Sequence, residues 1–231
     1  MMKKKIGLIL YARMSSKRYP GKVLTLIKNK ILLDIIIMRV RKKFKNMLII
    51  VNTSTNKSDE PIVDFCEKRN IKYFRGSLKN VFKRTIDCCK KFELDYFIRI
   101  CSDRPLIDSS MIYKMYKILK KKNNYDLITN QFPRTVPIGL SCEIAKSTIF
   151  TKINPFGLSK SSQEHIFDHF YKNSKKYKIF NYSDNFYNKL INIKLSLDTK
   201  SDFLRIKKIY KKINYNFLLE TKKIIKKTNK I

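Results

Sequence analysis

The sequence predicts an α/β fold in which a mostly parallel sheet is covered by helices on both faces. In the first 130 of the 231 residues, short apolar runs alternate with segments of helical periodicity. The apolar runs are almost uninterrupted, as in strands buried on both faces, and the helical segments are long enough to connect parallel strands. From Gln131 onward, prolines and glycines break this alternation. We therefore expect a single domain over residues 1–231, with an insertion at about 131–192.

The individual elements follow from the same patterns. Five apolar runs predict strands at Ile6–Leu10, Met47–Val51, Ile71–Phe74, Tyr96–Ile100 and Asp126–Thr129. The segments between them predict helices near Ile31–Phe44, Asp59–Asn70, Lys79–Phe92 and Ser110–Lys122. Ser58 and Ser109 are the expected N-caps of two of these helices. The second half predicts strands at Leu140–Ala145, Tyr177–Tyr182 and Ile193–Leu197, a helix from Thr199 to about Ile213, and a basic helix or tail over about 214–231.

The net charge is extreme, because 52 Lys and Arg residues face 18 Asp and Glu residues, which gives +34. Such a charge can indicate nucleic-acid binding. Here, however, the lysines occur on nearly every predicted element rather than on one face, and no recognition motif interleaves them with aromatic residues. We therefore expect no specific nucleic-acid binding, but a surface that attracts small anions.

The cysteines and the apolar runs indicate the cellular compartment of the protein. The five cysteines form neither a CxxC pair nor a metal-ligand spacing, which is typical of free thiols in a reducing compartment. Lys3–Lys5 followed by Ile6–Leu10 imitates a short signal peptide, but the apolar run is barely long enough and has no small-residue cleavage site after it. No stretch approaches membrane-spanning length. The sequence favours a cytoplasmic protein with no membrane span.

Two unusual loops follow the first and fourth predicted strands, at residues 12–22 and 101–105. Ligands of an open parallel sheet bind at the carboxyl ends of the strands, where the strand order reverses. If the order of the first four strands is 3-2-1-4, the reversal lies between the first and the fourth strand. The topology then brings a basic, hydroxyl-rich loop against an acidic turn.

The first loop carries Arg13, Lys17, Arg18 and Lys22 together with serines and Gly21. Backbone N–H groups and hydroxyls can bind triphosphate oxygens while the cations balance the charge. The loop lacks the GxxxxGK[ST] pattern of a Walker A motif. A solvated basic loop is the competing interpretation, but two arginines in a chain that otherwise favours lysine indicate bidentate phosphate binding.

Two acids are candidate metal ligands. Asp103 follows an apolar strand, where a carboxylate can hold Mg²⁺ against phosphates, although an Asp that fixes a turn before Pro105 has the same pattern. Asp198 also stands at the end of a predicted strand. Asp202, by contrast, forms a capping-box pattern with Thr199, which predicts a structural role.

Together these residues resemble the sugar-acid cytidylyltransferases. That family includes the acylneuraminate and 3-deoxy-manno-octulosonate cytidylyltransferases, and the resemblance is greatest to its SpsF-like spore-coat polysaccharide branch. The first loop is similar to the signature A-R-x-x-S-x-R-x-P-G-K-x-L, matched at Arg13, Ser16, Arg18, Pro20, Gly21, Lys22 and Leu24. Further matches follow at Asp59, Pro61 and Ile62, then at 74–77, 103–108, 133–135, 164–165 and 197–199, so the resemblance spans roughly residues 4 to 206.

The resemblance implies a Rossmann-like nucleotidyltransferase fold with a small substrate or dimerisation insertion, usually a homodimer. It also implies transfer of CMP from CTP to an acidic 2-keto sugar, with Mg²⁺ as cofactor, release of pyrophosphate, and a place in surface polysaccharide biosynthesis. The implied nucleotide-binding residues are Ala12, Arg13, Ser16, Arg18, Lys22, Arg75 and Ser77, of which Arg13 and Lys22 act in catalysis with Asp103. Asp103 and Asp198 would bind the metal, and Arg134, Glu164 and His165 would bind the sugar.

Some features leave alternatives open. The related branch often has acids where this chain has Ile138 and Ser141, and Gln163 replaces an arginine, so the sugar identity is not fixed. His165 is a candidate general base by its titration range, but a structural role beside His169 at helical spacing fits equally well. A different nucleotide or acceptor, a basic nucleic-acid-binding domain and a non-catalytic sugar binder are the competing functions.

Overall fold

The computed structural model describes residues 4–122 and 124–228, whose strands form one mixed sheet of seven strands and a small hairpin. The strands are β1 (Ile6–Tyr11), β2 (Leu26–Ile27), β3 (Lys30–Ile31), β4 (Leu48–Ser54), β5 (Lys72–Gly76), β6 (Tyr96–Cys101), β7 (Leu127–Thr129), β8 (Glu143–Lys146) and β9 (Ile179–Asn181). The helices are α1 (Leu32–Arg41), α2 (Glu60–Glu67), α3 (Val81–Lys91), α4 (Ser109–Lys121), α5 (Ser147–Thr151), α6 (Lys160–Glu164), α7 (Asp168–Lys172), α8 (Asn185–Asn188), α9 (Lys200–Lys212) and α10 (Thr221–Lys227). Short 3₁₀ turns lie at Lys22–Leu24, Lys57–Asp59 and Ser174–Lys176.

The strand order of the large sheet is β5-β4-β1-β6-β8-β7-β9. Its first four strands are parallel and follow the predicted order 3-2-1-4, so the fold class and the reversal beside β1 are confirmed. Beyond β6, strand β8 runs antiparallel to both of its neighbours, β6 and β7, and β9 runs parallel to β7. The segment that the sequence marks as an insertion thus supplies two strands to the main sheet, one of them between β6 and β7.

Apolar side chains pack against both faces of the sheet, as near-continuous apolar strands require. On one face the core contains Leu32 of α1, Ile62 of α2, Met111 of α4 and Ile206 of α9. On the other face it is rich in phenylalanine, with Phe82, Phe150 and Phe170 in mutual ring contact and Phe97 packed against Phe150. Helices therefore cover both faces, as predicted.

Some of the predicted boundaries are wrong. Asp108, not Ser109, caps α4, because its carboxylate accepts hydrogen bonds from the N–H groups of Ser110 and Met111. Asp59 stands at the N-cap position of α2 instead of Ser58, and makes no cap hydrogen bond there because its carboxylate has other partners.

The C-terminal third also differs in part from the prediction. The predicted strand 193–197 makes only an isolated bridge, between Ile138 and Lys194. The basic segment that ends the chain forms α10, whose Ile224 and Ile225 are buried in the core, so its described part is a packed helix rather than a frayed tail. The cap of α9 is as predicted, since Thr199 and Asp202 form a reciprocal capping box.

Candidate active site

The loop of residues 12–21 leaves the carboxyl end of β1 and folds back on itself. The Ala12 N–H donates to the Asn52 carbonyl of β4 (3.2 Å), and the N–H groups of Ser16 and Gly21 both donate to the Met14 carbonyl (2.9 Å each). Gly21 closes this turn with φ of +71°, a left-handed conformation that favours glycine. The loop is thus a compact, internally bonded structure rather than a loose basic segment.

Asp59 anchors this loop from beneath. Its side chain is fully buried, and Oδ1 accepts a hydrogen bond from the Met14 N–H at 2.7 Å. Oδ2 accepts from the Thr53 hydroxyl (3.1 Å) and from both the N–H (3.1 Å) and the hydroxyl (2.5 Å) of Ser54, at the end of β4. The family resemblance includes Asp59 as a match, but no local pattern shows that it ties the loop to the sheet.

Lys22 lies at the centre of the site, where it joins the two predicted metal ligands. Its ammonium Nζ is 3.0 Å from Asp198 Oδ1 and 3.2 Å from Asp103 Oδ2, and it donates to the Leu197 carbonyl at 2.9 Å. The Lys22 side chain is only 11% exposed. The Leu197 N–H donates to the Asp103 carbonyl (2.8 Å), which holds the two acidic segments together. Residues distant in sequence are therefore brought to one point beside the ends of β1 and β6.

The two arginines of the loop are also paired with acids. Arg18 approaches Asp198 at 3.2 Å, and Arg13 bonds Glu164 at the end of α6 at 2.8 Å. The hydrogen bond from Arg13 holds the pKa of Glu164 below its ordinary value. Burial alone would raise the pKa of Asp198, but hydrogen bonds from Lys22 and Ser196 bring it below its ordinary value. Both acids therefore accept hydrogen bonds as carboxylates.

A magnesium ion fits this donor set. No group of three or more His, Cys, Asp or Glu side chains converges as metal ligands within residues 4–122 and 124–228. Two converging carboxylates, Asp103 and Asp198, are nevertheless what Mg²⁺ uses when phosphate and water oxygens complete its coordination. Lys22 holds the cation position between them in this structure.

Arg75 and Ser77, which the family resemblance places near the base of the nucleotide, lie at the end of β5 and have local partners. Arg75 pairs with Glu60 (2.8 Å) and donates to the Ser54 carbonyl (3.1 Å). The Ser77 hydroxyl accepts from the Asn80 N–H at 3.0 Å, just before α3. The role of Arg75 and Ser77 in binding the base stays a prediction.

An open pocket of about 340 Å³ lies on the other side of the loop, between β6, β8 and α7. It is lined by Arg99, Gln131, Arg134, Glu143, His165, Ile166, Phe167, Asp168 and Tyr171. Two of the three predicted sugar-binding residues, Arg134 and His165, are in this set, whereas Glu164 pairs with Arg13 outside it. His165 ends α6 and His169 lies in α7, so the two histidines do not share one helix as their spacing suggests.

Asp202 supports Asp198 as well as capping α9. Its Oδ2 accepts from Lys194 (2.6 Å) and from the N–H groups of Asp198 (3.0 Å) and Thr199 (3.1 Å), and Oδ1 accepts from Arg205 (2.9 Å). Burial would raise the pKa of Asp202, but the hydrogen bonds from Lys194 and from the Asp198 N–H lower it from 3.8 to about 2. The capping prediction is confirmed, and the same carboxylate also positions the candidate metal ligand.

Asp202→Asn is expected to destabilise the fold by about 2 kcal/mol at neutral pH and to lower the Tm by about 5 °C. Because the folded-state pKa is depressed, this stabilisation is present above pH 4 and is lost as the pH falls toward 2. Thermal unfolding between pH 3 and 7 measures it, with Asp87→Asn as the control, since Asp87 forms a half-buried i,i+4 pair with Lys83 on α3. If Asp202→Asn keeps the wild-type Tm but loses metal activation, Asp202 is a ligand and not a cap.

The sheet order, the anchored basic loop and the facing acids define a nucleotidyltransferase. The cytidylyltransferase family model matches residues 7–227, and the chain belongs to that family. It is therefore a CTP-dependent nucleotidyltransferase.

Known proteins support this assignment. The chain is 28% identical to the spore coat polysaccharide biosynthesis protein SpsF of Bacillus subtilis over 88% of its length and 85% of the relative. It superposes on a cytidylyltransferase of Leptospira borgpetersenii with a TM-score of 0.90 and 25% identity, covering 97% and 93% of the two chains. A structure of CMP:2-keto-3-deoxy-manno-octonic acid synthetase complexed with CTP has the same fold, with a TM-score of 0.69, 14% identity, and 91% and 100% coverage. No helix within the described residues is long and apolar enough to cross a membrane.

Proposed function

We propose that the protein transfers CMP from CTP to an acidic 2-keto sugar of the nonulosonic or octulosonic type and releases pyrophosphate, for surface polysaccharide biosynthesis. The observation that supports this proposal is that a pocket lined by Arg134 lies next to the basic loop of residues 12–22. Arg13 of the loop bonds Glu164, whose neighbour His165 lines the pocket. The relative SpsF is named for spore coat polysaccharide, and the octonic acid synthetase is named for a 2-keto sugar acid.

The nucleotide half of the site stabilises charge on the triphosphate. The anomeric hydroxyl of the sugar attacks the α-phosphorus, an oxygen–phosphorus bond forms, and the bond to the β-phosphate oxygen breaks, so that pyrophosphate leaves with the electron pair. Arg13, Arg18 and Lys22 now pair with acids, and phosphate oxygens can replace those carboxylates as their partners. Preorganised cations of this kind lower the barrier because charge develops on the leaving group.

Asp103 and Asp198 would hold Mg²⁺ once Lys22 turns to the phosphates. The ion supplies a Lewis acid that neutralises the developing phosphate charge. Asp202 keeps Asp198 in place, and Asp59 keeps the loop in place. Ala12 and Ser16 contribute through the backbone of that loop.

Arg134 supports an acidic acceptor. Its guanidinium has one hydrogen bond within the described residues, a long contact of 3.4 Å to the Ser141 hydroxyl. Arg134 is an exposed residue, and partial burial and then the neighbouring Arg104 lower its pKa, an effect that an anionic ligand would oppose. A sugar carboxylate matches the planar fork of arginine.

The remaining roles follow from position. His165 is exposed at the mouth of the pocket and is the candidate general base for the attacking hydroxyl. A homodimer is proposed from the family resemblance. A cytoplasmic location fits five free cysteines, of which four are buried.

Arg134→Lys is expected to raise the KM for the acidic sugar about tenfold or more while changing the KM for CTP less than twofold, because lysine cannot form the bidentate contact. Pyrophosphate release, measured across a panel of nucleotides, 2-keto sugar acids, neutral sugars and sugar phosphates, tests the substrate and the variant together. Arg69→Lys is the matched control, because Arg69 forms its own fork with Asp34 away from the pocket. Efficient use of a neutral sugar, with no response to Arg134→Lys, would contradict an acidic acceptor and leave the nucleotide site intact.

A further inference from the structure

Glu143 is a buried acid that the known chemistry of the site does not use. It lies on β8, opposite Arg99 of β6 on one side and Thr129 of β7 on the other. Its side chain is only 3% exposed, yet it lines the open pocket that also contains Arg134. Within the described part of the chain its carboxylate has one hydrogen-bond partner, the Nη1 atom of Arg99, at 3.3 and 3.4 Å from its two oxygens.

These contacts leave the carboxylate far from satisfied. An ionised carboxyl group offers about four acceptor positions, and a buried one without enough donors carries a large desolvation cost. Glu143 has only one donor nitrogen, at a distance near the limit of a hydrogen bond. The remaining acceptor capacity is available to a hydrogen-bond donor that enters the pocket.

The groups around Glu143 have other neighbours. Arg99 lies near two aromatic rings, with its guanidinium carbon 5.7 Å from the centroid of Tyr11 and 5.9 Å from that of Phe167. The Tyr171 hydroxyl shares a hydrogen bond with the Thr129 hydroxyl (2.8 Å), and the Tyr171 ring stacks on Phe132. The Tyr171 and Thr129 hydroxyls therefore bond each other and not Glu143, whose carboxylate keeps acceptor positions open toward the pocket.

The charged side chains that line the pocket fit a ligand that carries hydrogen-bond donors as well as an anionic group. Its lining contains two arginines, Arg99 and Arg134, and two acids, Glu143 and Asp168. Although the net charge of the chain is +34, the arginines and acids that line the pocket balance each other, with His165 left out of the count. Such a lining suits an acceptor that carries an anionic group and hydrogen-bond donors at separate positions.

We infer that Glu143 is an acceptor-binding residue that takes a hydroxyl or amide N–H of the sugar whose carboxylate binds Arg134. The binding of a sugar carboxylate to Arg134 rests on the proposed function. The role of Glu143 requires only that the sugar substrate carries a hydrogen-bond donor. The substrate class is then a polyhydroxylated or acylamino sugar acid, with a donor placed away from its carboxylate. An analogue that lacks this donor leaves the Glu143 carboxylate unpaired, and sites built for such a bond reject such analogues strongly.

The test compares Glu143→Gln with the wild type on 3-deoxy-manno-octulosonate, N-acetylneuraminate, their monodeoxy and deacylated analogues, and a set of neutral sugars. Glu143→Gln is expected to raise the KM for the best acceptor tenfold or more and to change the KM for CTP less than twofold. Wild-type enzyme is expected to discriminate at least tenfold against one analogue, and the variant is expected to lose that discrimination. The monodeoxy analogues test whether Glu143 binds a hydroxyl, and the deacylated analogues test whether it binds an amide N–H.

Two controls separate binding from stability. Asp34→Asn breaks the pair with Arg69 on a remote face, and should leave both KM values unchanged. If Glu143→Gln does not fold, the double variant Arg99→Gln with Glu143→Gln replaces it, because it removes both charges of the pair together. The preference of the wild-type enzyme among the analogues also tests the contact without any variant. Equal use of every analogue by the wild type, or an unchanged acceptor KM in a folded Glu143→Gln, overturns the inference. A neutral acceptor whose KM responds to Glu143→Gln supports Glu143 and refutes the acidic sugar.

Discussion

Replacing Lys22 with alanine is expected to lower turnover with CTP by about a hundredfold or more. The variant loses the proposed phosphate contact and also leaves Asp103 and Asp198 facing each other without the ammonium that now joins them. Since the Lys22 side chain is only 11% exposed, its removal is also expected to cost about 2–4 kcal/mol of stability. Added Mg²⁺ should recover part of that loss, because the ion can occupy the same position between the acids.

Arg13→Ala provides the comparison that separates catalysis from folding. Arg13 is 43% exposed and has one ion pair, so its loss should lower turnover by roughly a hundredfold with almost no change in Tm. Lys30→Ala, an exposed position on β3, is the control for removing one positive charge. Pyrophosphate release and thermal unfolding measure both quantities. Near-normal turnover in both Arg13→Ala and Lys22→Ala would refute the assignment of the loop to the triphosphate.

Much of this arrangement could be predicted from the sequence, for a physical reason. Uninterrupted apolar strands fix a parallel sheet, and the reversal of strand order fixes where its ligand lies. Lys22, Asp103 and Asp198 could therefore be expected at one point, although nearly 180 residues separate the first from the last. What the sequence does not show is that Lys22 joins the two acids directly, because side-chain distances depend on the packed loop.

The parts that sequence patterns missed depend on long-range neighbours. Strand β8 is four residues long, and nothing in it indicates a place between β6 and β7. Glu143 faces Arg99 only because β8 pairs with β6, and Asp59 becomes a loop anchor only through the Met14 N–H. Both N-cap predictions were wrong, because an aspartate lies beside each predicted serine and occupies the N-cap position.

Asp103→Asn and Asp198→Asn are each expected to lower kcat by at least about a hundredfold at a fixed Mg²⁺ concentration, which corresponds to the several kcal/mol that a bound metal contributes. Both substitutions weaken the donor set that fits the ion. The concentration of Mg²⁺ that gives half-maximal activity should rise in both, and titration of Mg²⁺ and Mn²⁺ against pyrophosphate release measures it.

The two acids should differ in stability, which tests the geometry apart from the metal. Asp198 accepts from Lys22 and Ser196 and pairs with Arg18, whereas Asp103 has the longer contact to Lys22 and a pair of 3.9 Å to Arg104. Asp198→Asn should therefore lower the Tm more than Asp103→Asn. Asp64→Asn, an exposed position on α2, controls for the loss of one negative charge. If either site variant keeps the wild-type dependence on Mg²⁺ while its kcat falls, the acid serves only to position Lys22, and the metal is bound elsewhere.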